Sequence, residues 1–215
     1  MGEDGSGRFT LQAALENRMA ALIRSLSALT GPSAPSPEAP IIDGPAIAAS
    51  MAAAPGIRSV SLHNTAPAAV NGEIQISRID EFLSLPGGGG QFIRYTPVPG
   101  RLSITLDRSS GPRIIALLST EVADYLSALM APVVTGEQLS QEEYLNLVVS
   151  VYGKAIADEI AAAQLFIAIN FPGPLQSVRG GTFSGRRAEF LVPLVDLFVL
   201  DKALEYEARW KQPEG

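Results

Sequence analysis

A chain of 215 residues, 47% hydrophobic and 18% charged, is long enough to bury a substantial core within one domain. Its formal net charge of −6 argues against the electrostatic grip on phosphates that nucleic-acid binding needs, and its lack of cysteine excludes disulfides, thiolate nucleophiles and cysteine metal sites. Mean hydropathy is high at +0.20, yet no apolar stretch approaches the roughly 20 residues needed to cross a bilayer. The best run, residues 190–200, is interrupted by Pro193 and Asp196 and predicts a buried strand.

Along the chain, Phe9, Leu11 and Ala13 alternate as in a short strand, and Leu15, Met19, Leu22, Leu26 and Leu29 then recur at helical spacing up to Gly31. Residues 31–40 (GPSAPSPEAP) read as an extended connector. Asp43-Gly44-Pro45 predicts the start of a short alanine-rich helix that Pro55-Gly56 ends. Ile57, Val60 and Leu62, followed by Val70, Ile74 and Ile76, suggest paired antiparallel segments, with His63 in a turn between them. Residues 80–85 close that layer, residues 87–90 form a glycine-rich loop tip, and Phe92 and Tyr95 open another hairpin arm. Leu102, Ile104 and Leu106 alternate with polar neighbours throughout, which predicts a strand over 101–107 with one wet and one dry face.

The middle of the chain is helical. Ser119 is a plausible N-cap for a helix whose stripe is Val122, Tyr125, Leu126 and Leu129. Ser140-Gln141-Glu142-Glu143 fits a capping box, after which Tyr144, Val148, Tyr152, Ile156 and Ile160 give one buried face running through Gly153. Leu165, Ile167, Ile169 and Phe171 then alternate, Gly180-Gly181 marks a turn, and Leu204, Tyr206, Ala208 and Trp210 form a closing strand before a disordered tail at 211–215. Strand layers flanking a helical pair predict an α+β fold: an antiparallel sheet with amphipathic helices packed on one face.

Few residues offer chemistry. His63 is the sole histidine, so paired-histidine metal sites are excluded and any base would depend on that residue and a hydroxyl such as Ser109 or Ser110. The neighbouring carboxylates Asp80/Glu81, Glu142/Glu143 and Asp158/Glu159 point in different directions on a helix or strand. Neither the glycine cluster from Gly2 to Gly7 nor that from Gly87 to Gly90 is followed by the Gly-Lys-Ser/Thr of a phosphate loop. The one cluster worth testing as a ligand contact is Arg179, Arg186 and Arg187 around Gly180-Gly181, which could meet a carboxylate or phosphate or simply protect a hairpin edge. Phe166, Phe171, Phe183, Phe190, Tyr206 and Trp210 read as core.

Three pieces, Asp4-Gly5-Ser6-Gly7 leading into a strand, FPGPLQSVRGGTFSGRRAEF (171–190) and LEYEARW (204–210), resemble the extracytoplasmic domain of bacterial LppM-type lipoproteins. They cover about a third of the chain; residues 112–163 have no counterpart in the resemblance. It implies an envelope-facing domain, lipid or glycolipid binding, and an anchor on a lipidated cysteine, which here would lie upstream of residue 1. The expectation is therefore a non-enzymatic domain without cofactor or metal that binds a lipid or other amphiphile between sheet and helices. The alternatives are a scaffold module that recognises an envelope protein, and an enzyme using His63. The bacterial envelope, periplasmic or surface-anchored, is the expected compartment, with the cytoplasm as the alternative.

Overall fold

The computed structural model describes residues 6–14, 20–21, 40–41, 43–84, 90, 92–116 and 120–211. All of the expected helix at 15–29 but Ala20 and Ala21, which are helical, most of the 31–40 connector, most of the glycine loop, the Ser119 cap and the last four residues lie outside them.

The fold is α+β, and its strands divide between two antiparallel sheets. The larger, sheet A, has six strands: β1 (Gly7–Ala14), β2 (Ile57–Ala66), β3 (Ala69–Ile76), β6 (Gln164–Asn170), β8 (Thr182–Ser184) and β9 (Arg187–Pro193), in the spatial order β2-β3-β1-β6-β9-β8. Sheet B has four: β4 (Ile93–Thr96), β5 (Gly100–Leu106), β7 (Leu175–Arg179) and β10 (Leu204–Trp210), in the order β4-β5-β10-β7. The apolar faces of the two sheets meet in one core built from Ile76, Leu102, Ile169, Phe171, Leu175, Ala188, Phe190, Val192, Ala208 and Trp210. Within it Trp210 packs against Phe171 at 5.1 Å and stacks on Tyr95 at 5.9 Å between ring centroids. Gly100 is the cross-strand partner of Trp210, and a Cβ there would lie 2.7 Å from the indole Cδ1, so only glycine lets the ring lie flat on the neighbouring strand.

Helices supply the rest. Asp43 caps α1 (Gly44–Ala52) through a 2.9 Å bond from the Ala46 N–H, with Pro45 in the first turn, as the sequence predicts. Next, α2 (Ile79–Leu83) follows β3. Then come α3 (Gly111–Ala116), α4 (Thr120–Ala128), α5 (Pro132–Thr135), α6 (Gln141–Tyr152), α7 (Lys154–Ala162) and α8 (Leu194–Val199). The later helices build a second core around Leu129, Tyr144, Val148, Ile156, Ile160, Val195 and Val199. The Ser140 capping box forms as expected: the Ser140 N–H donates to Glu143 at 2.8 Å and the Glu143 N–H to the Ser140 hydroxyl at 3.3 Å. Those bonds from Ser140 hold the Glu143 carboxyl below its ordinary pKa. Tyr144 is fully buried and donates to the Leu129 carbonyl at 3.3 Å, and burial, with Tyr152 nearby, pushes its phenol well above the usual range.

Four expectations need correction. The run 190–200 is not one strand: β9 ends at Pro193, and residues 194–199 turn helical. Proline ends the ladder without leaving a donor unpaired, the Leu194 N–H bonds the Ala163 carbonyl at 2.9 Å, and Val195 and Val199, four apart, enter the helical core. His63 lies within β2 opposite Asn71, because the turn between β2 and β3 falls at Pro67-Ala68. Gly180-Gly181 carries the chain from β7 in sheet B to β8 in sheet A, and the tight turn of that region is at Gly185-Arg186. Finally, the stripe Tyr144 to Ile160 is shared by two helices that break at Gly153, whose φ of 87° and ψ of 161° belong to a region essentially reserved for glycine.

That break gives a direct test. In a continuous helix Gly153→Ala would stabilise by about 1 kcal/mol. Here no atom lies within 4 Å of the added methyl, so the cost is conformational alone. The variant is expected to lose about 1–3 kcal/mol in urea denaturation, with little change in m-value.

Candidate functional site

The sandwich does not close evenly. On the β7/β8 side, where Leu175, Ala188, Phe190 and Ala208 meet, the sheets are tightly packed, and Phe190 meets Tyr206 edge-on at 5.7 Å. On the β3/β4 side they leave an apolar cavity of about 240 Å³. Sheet A contributes Phe9 and Leu11 from β1, Ile57 from β2, Ile74 and Ile76 from β3, and Ile167 and Ile169 from β6. Sheet B contributes Ile93, Leu102 and Ile104, while Met51 of α1 and Ile79, Phe82 and Leu83 of α2 complete the wall. Among the described residues, Thr10 is the only polar one in the lining.

Several of these large side chains, including Phe9, Leu11, Ile74, Ile93, Ile104 and Ile167, remain partly exposed although they face the interior between the sheets. Each exposed Å² of aliphatic surface forgoes about 25 cal/mol of burial, so an apolar occupant would recover free energy that folding leaves unused. An engineered cavity of about 150 Å³ holds a benzene ring, and on that scale this one holds roughly eight to ten carbon atoms.

A second hollow, of about 390 Å³ and polar, lies at the strand ends of sheet A, lined by Ser6, Gly7, Arg8, Arg58, Gln75, Ile76, Asn170 and Phe171. The helical core sits at the opposite end of the same sheet, where it includes Ala163 and packs Ala68 and Leu194. A third hollow is lined by Phe92, Arg94, Ser103, Thr105, Asp107, Ser109 and Ser110. Its Asp107 side chain is committed to capping: the Ser109 hydroxyl donates to it at 2.6 Å and the Ser110 N–H at 3.1 Å. The Ser109 bond is the chief reason its carboxyl is held below the ordinary pKa.

The residues singled out from the sequence fall as follows. Arg179 and the pair Arg186/Arg187 lie at opposite ends of β7, because the Leu175 N–H bonds the Gly185 carbonyl at one end while Arg179 closes the other, about 13 Å away along the strand. Arg179 pairs with Glu205 at 2.7 Å and Arg187 with Glu189 at 2.8 Å, all with substantial exposure, while Arg186 is exposed in the turn. Such exposed pairs contribute about 0–1 kcal/mol. Arg187 is, however, the cross-strand partner of Asn170, which places it beside the polar hollow.

His63 is exposed on the outer side of β2 in sheet A, whereas Ser109 and Ser110 follow β5 of sheet B and share their hollow with Asp107. Of the carboxylate pairs, Asp80 and Glu81 face Arg78 at 2.7 and 3.2 Å, Asp158 holds Lys154 at 2.6 Å, and Glu143 serves the cap. Among the described residues no group of three histidine, aspartate or glutamate side chains comes together to hold a metal ion, and no helix is long and apolar enough to cross a membrane. In the aromatic set, Phe171, Phe190, Tyr206 and Trp210 belong to the inter-sheet core, whereas Phe183 is 44% exposed and Phe166 sits beside exposed Leu191 on the outer face of sheet A.

Comparison with protein-family models, curated proteins and solved structures finds no match to this chain.

The cavity makes a prediction about packing. Ile104→Trp places extra volume in the hollow and is expected to leave the thermal midpoint unchanged or raised, whereas Ala188→Leu, at a fully buried position of the closed side, should cost about 1–3 kcal/mol. Differential scanning calorimetry of the two variants checks the contrast.

Proposed function

We propose that the protein is a non-enzymatic binding domain that takes the apolar part of a lipid or other amphiphile into the cavity between its two sheets. The observation that carries this reading is the wall of large aliphatic side chains from both sheets, half exposed around a hollow with one polar residue in its lining. Pockets for apolar ligands are commonly concave and built on rigid elements, and this one draws on four strands of sheet A and two of sheet B. At about 240 Å³ it fits one medium-length chain segment, not a whole diacyl lipid.

The reading agrees with what the LppM-type resemblance implies, and under it the domain works in the bacterial envelope, periplasmic or surface-anchored. It moves the binding position relative to the sequence expectation: the ligand lies between two sheets, with α1 and α2 at the margin, and not between a sheet and the long helices.

Calorimetric titration with octanol, which has a chain of the right size and no charge, tests it. Wild-type protein should give a saturable one-to-one complex with a negative heat-capacity change, the mark of apolar burial. Ile104→Trp should bind at least tenfold more weakly while keeping its thermal midpoint. A wild-type protein that takes up no octanol, and from which organic extraction after purification releases no lipid, would overturn the proposal.

A further inference from the structure

Building on that reading, we infer that the polar hollow at the strand ends of sheet A receives the anionic head group of the same amphiphile, with Arg58 as its principal cation and Arg8, Gln75 and Asn170 around it. The two hollows meet at Ile76, a buried residue that lines both. Four adjacent strands divide their residues between them in the same way. Ile57 faces the apolar cavity and Arg58 the polar hollow; Phe9 and Arg8, Ile74 and Gln75, and Ile169 and Asn170 repeat the division. Strand alternation puts the last three pairs on opposite faces of the sheet, while at Ile57-Arg58 a bulge in β2 interrupts the alternation and aims Arg58 into the polar hollow. Ser6, Gly7 and Phe171 stand at or just beyond the strand ends, so the polar hollow turns the corner of the sheet toward the apolar one.

The charges are arranged for an anion. Arg8 is held by Glu73 at 3.2 Å, and Gln75 donates to the same carboxylate at 2.7 Å, so that acid is already neutralised and ligated. Arg58 is exposed, and no ion pair holds it among the described residues. It is the extra residue of a bulge between Ile57 and Ser59, a feature that re-aims a side chain at a sheet margin. Arg187, the cross-strand partner of Asn170, adds positive potential from the neighbouring strand, although Glu189 pairs with it. A local cationic row in a chain of net charge −6 is the opposite of what its composition would place there at random. A guanidinium presents a planar fork suited to the two oxygens of a carboxylate or phosphate.

Octanol, octanoate, octyl phosphate and inorganic phosphate, titrated into wild-type protein and Arg58→Gln at two salt concentrations, separate the contributions. Octanoate or octyl phosphate should bind wild-type protein at least tenfold tighter than octanol does, with an advantage that shrinks as salt rises. Arg58→Gln should remove most of that advantage and leave octanol binding unchanged; since Arg58 is exposed, the variant keeps its fold. Whichever of the two anionic amphiphiles binds tighter identifies a carboxylate or a phosphate head. If octanol binds as tightly as its anionic counterparts and Arg58→Gln changes nothing, the head-group assignment falls while the cavity reading stands. If inorganic phosphate binds as tightly as octyl phosphate and depends on Arg58, the hollow is an anion site uncoupled from the chain, and the assignment falls. If octanol fails to bind, the cavity reading falls, and this inference with it.

Discussion

The spacing of the two sheets is set by how short the chain's crossings between them are. Between Arg179 at the end of β7 and Thr182 at the start of β8 stand only Gly180 and Gly181. Three Cα-to-Cα steps reach about 10–11 Å at full extension, and two sheets packed face to face lie about 10 Å apart. The link is therefore too short to let that margin open far, and it is bent, with Gly180 at a φ of 76°. A second crossing, from β6 to β7, uses four residues, Phe171-Pro172-Gly173-Pro174, and drives Phe171 against Trp210. Together these two links clamp β8 and β9 of sheet A to β7 and β10 of sheet B, and the densest part of the core, including Ala188 and Ala208 at no more than 1% exposure, lies under them.

The opposite margin has no such clamp. There the chain passes from β3 to β4 through residues 77–92, including α2, so the sheets are separated by a helix width of connection and not by two glycines. Sheet A also outruns sheet B on this side: β2 is covered by α1, which packs on it directly, and β3 and β1 look toward β5 and β4 across the cavity. Sheet twist makes matters worse for packing, since two twisted sheets pinned at one margin diverge toward the other. The longer connection thus accompanies the hollow, and its aliphatic lining is the dry face of strands that the partner layer covers only in part.

Much of this was legible at the level of single elements. β5 and β10 announce themselves by strict alternation, α6 by its capping box, and α1 by Asp43 and Pro45. Alternation says that a strand has a dry face but not what covers it, which is why one sheet could be expected where two exist. The Gly153 break escaped because the stripe keeps its phase: Tyr144 and Val148 before it and Ile156 and Ile160 after it enter the same core. Residues 190–200 misled for a related reason, since a continuous apolar run suits a buried strand and a buried helix alike, and only Pro193 with Asp196 three residues on marks the start of α8. The site itself was least visible. Its walls come from strands more than 150 residues apart in sequence, Phe9 and Ile167 among them, and its sole local trace is the juxtaposition of an arginine with a large apolar residue at strand ends, Arg8-Phe9 and Ile57-Arg58. The cluster that the sequence did suggest, Arg179 with Arg186 and Arg187, dissolves because β7 separates its members, leaving only Arg187 near the polar hollow.

Dense packing and the apolar hollow consequently fall at different edges of one sandwich. The clamped edge carries the aromatic core around Trp210, whose buried indole N–H finds no hydrogen-bond partner among the described residues, a cost of about 1–3 kcal/mol that only dense packing would offset. The helical core lies at a third position, at the sheet end remote from the polar hollow, and shares no buried residue with the core between the sheets. The cavity wall therefore borders the inter-sheet core at Ile76, Leu102 and Ile169, and it shares no residue with the helical core. If the cavity takes an apolar chain as proposed, its nearly uniform aliphatic wall offers little to tell one chain from another, and selectivity would come from polar groups where the hollow ends, at the strand-end hollow that meets the cavity at Ile76.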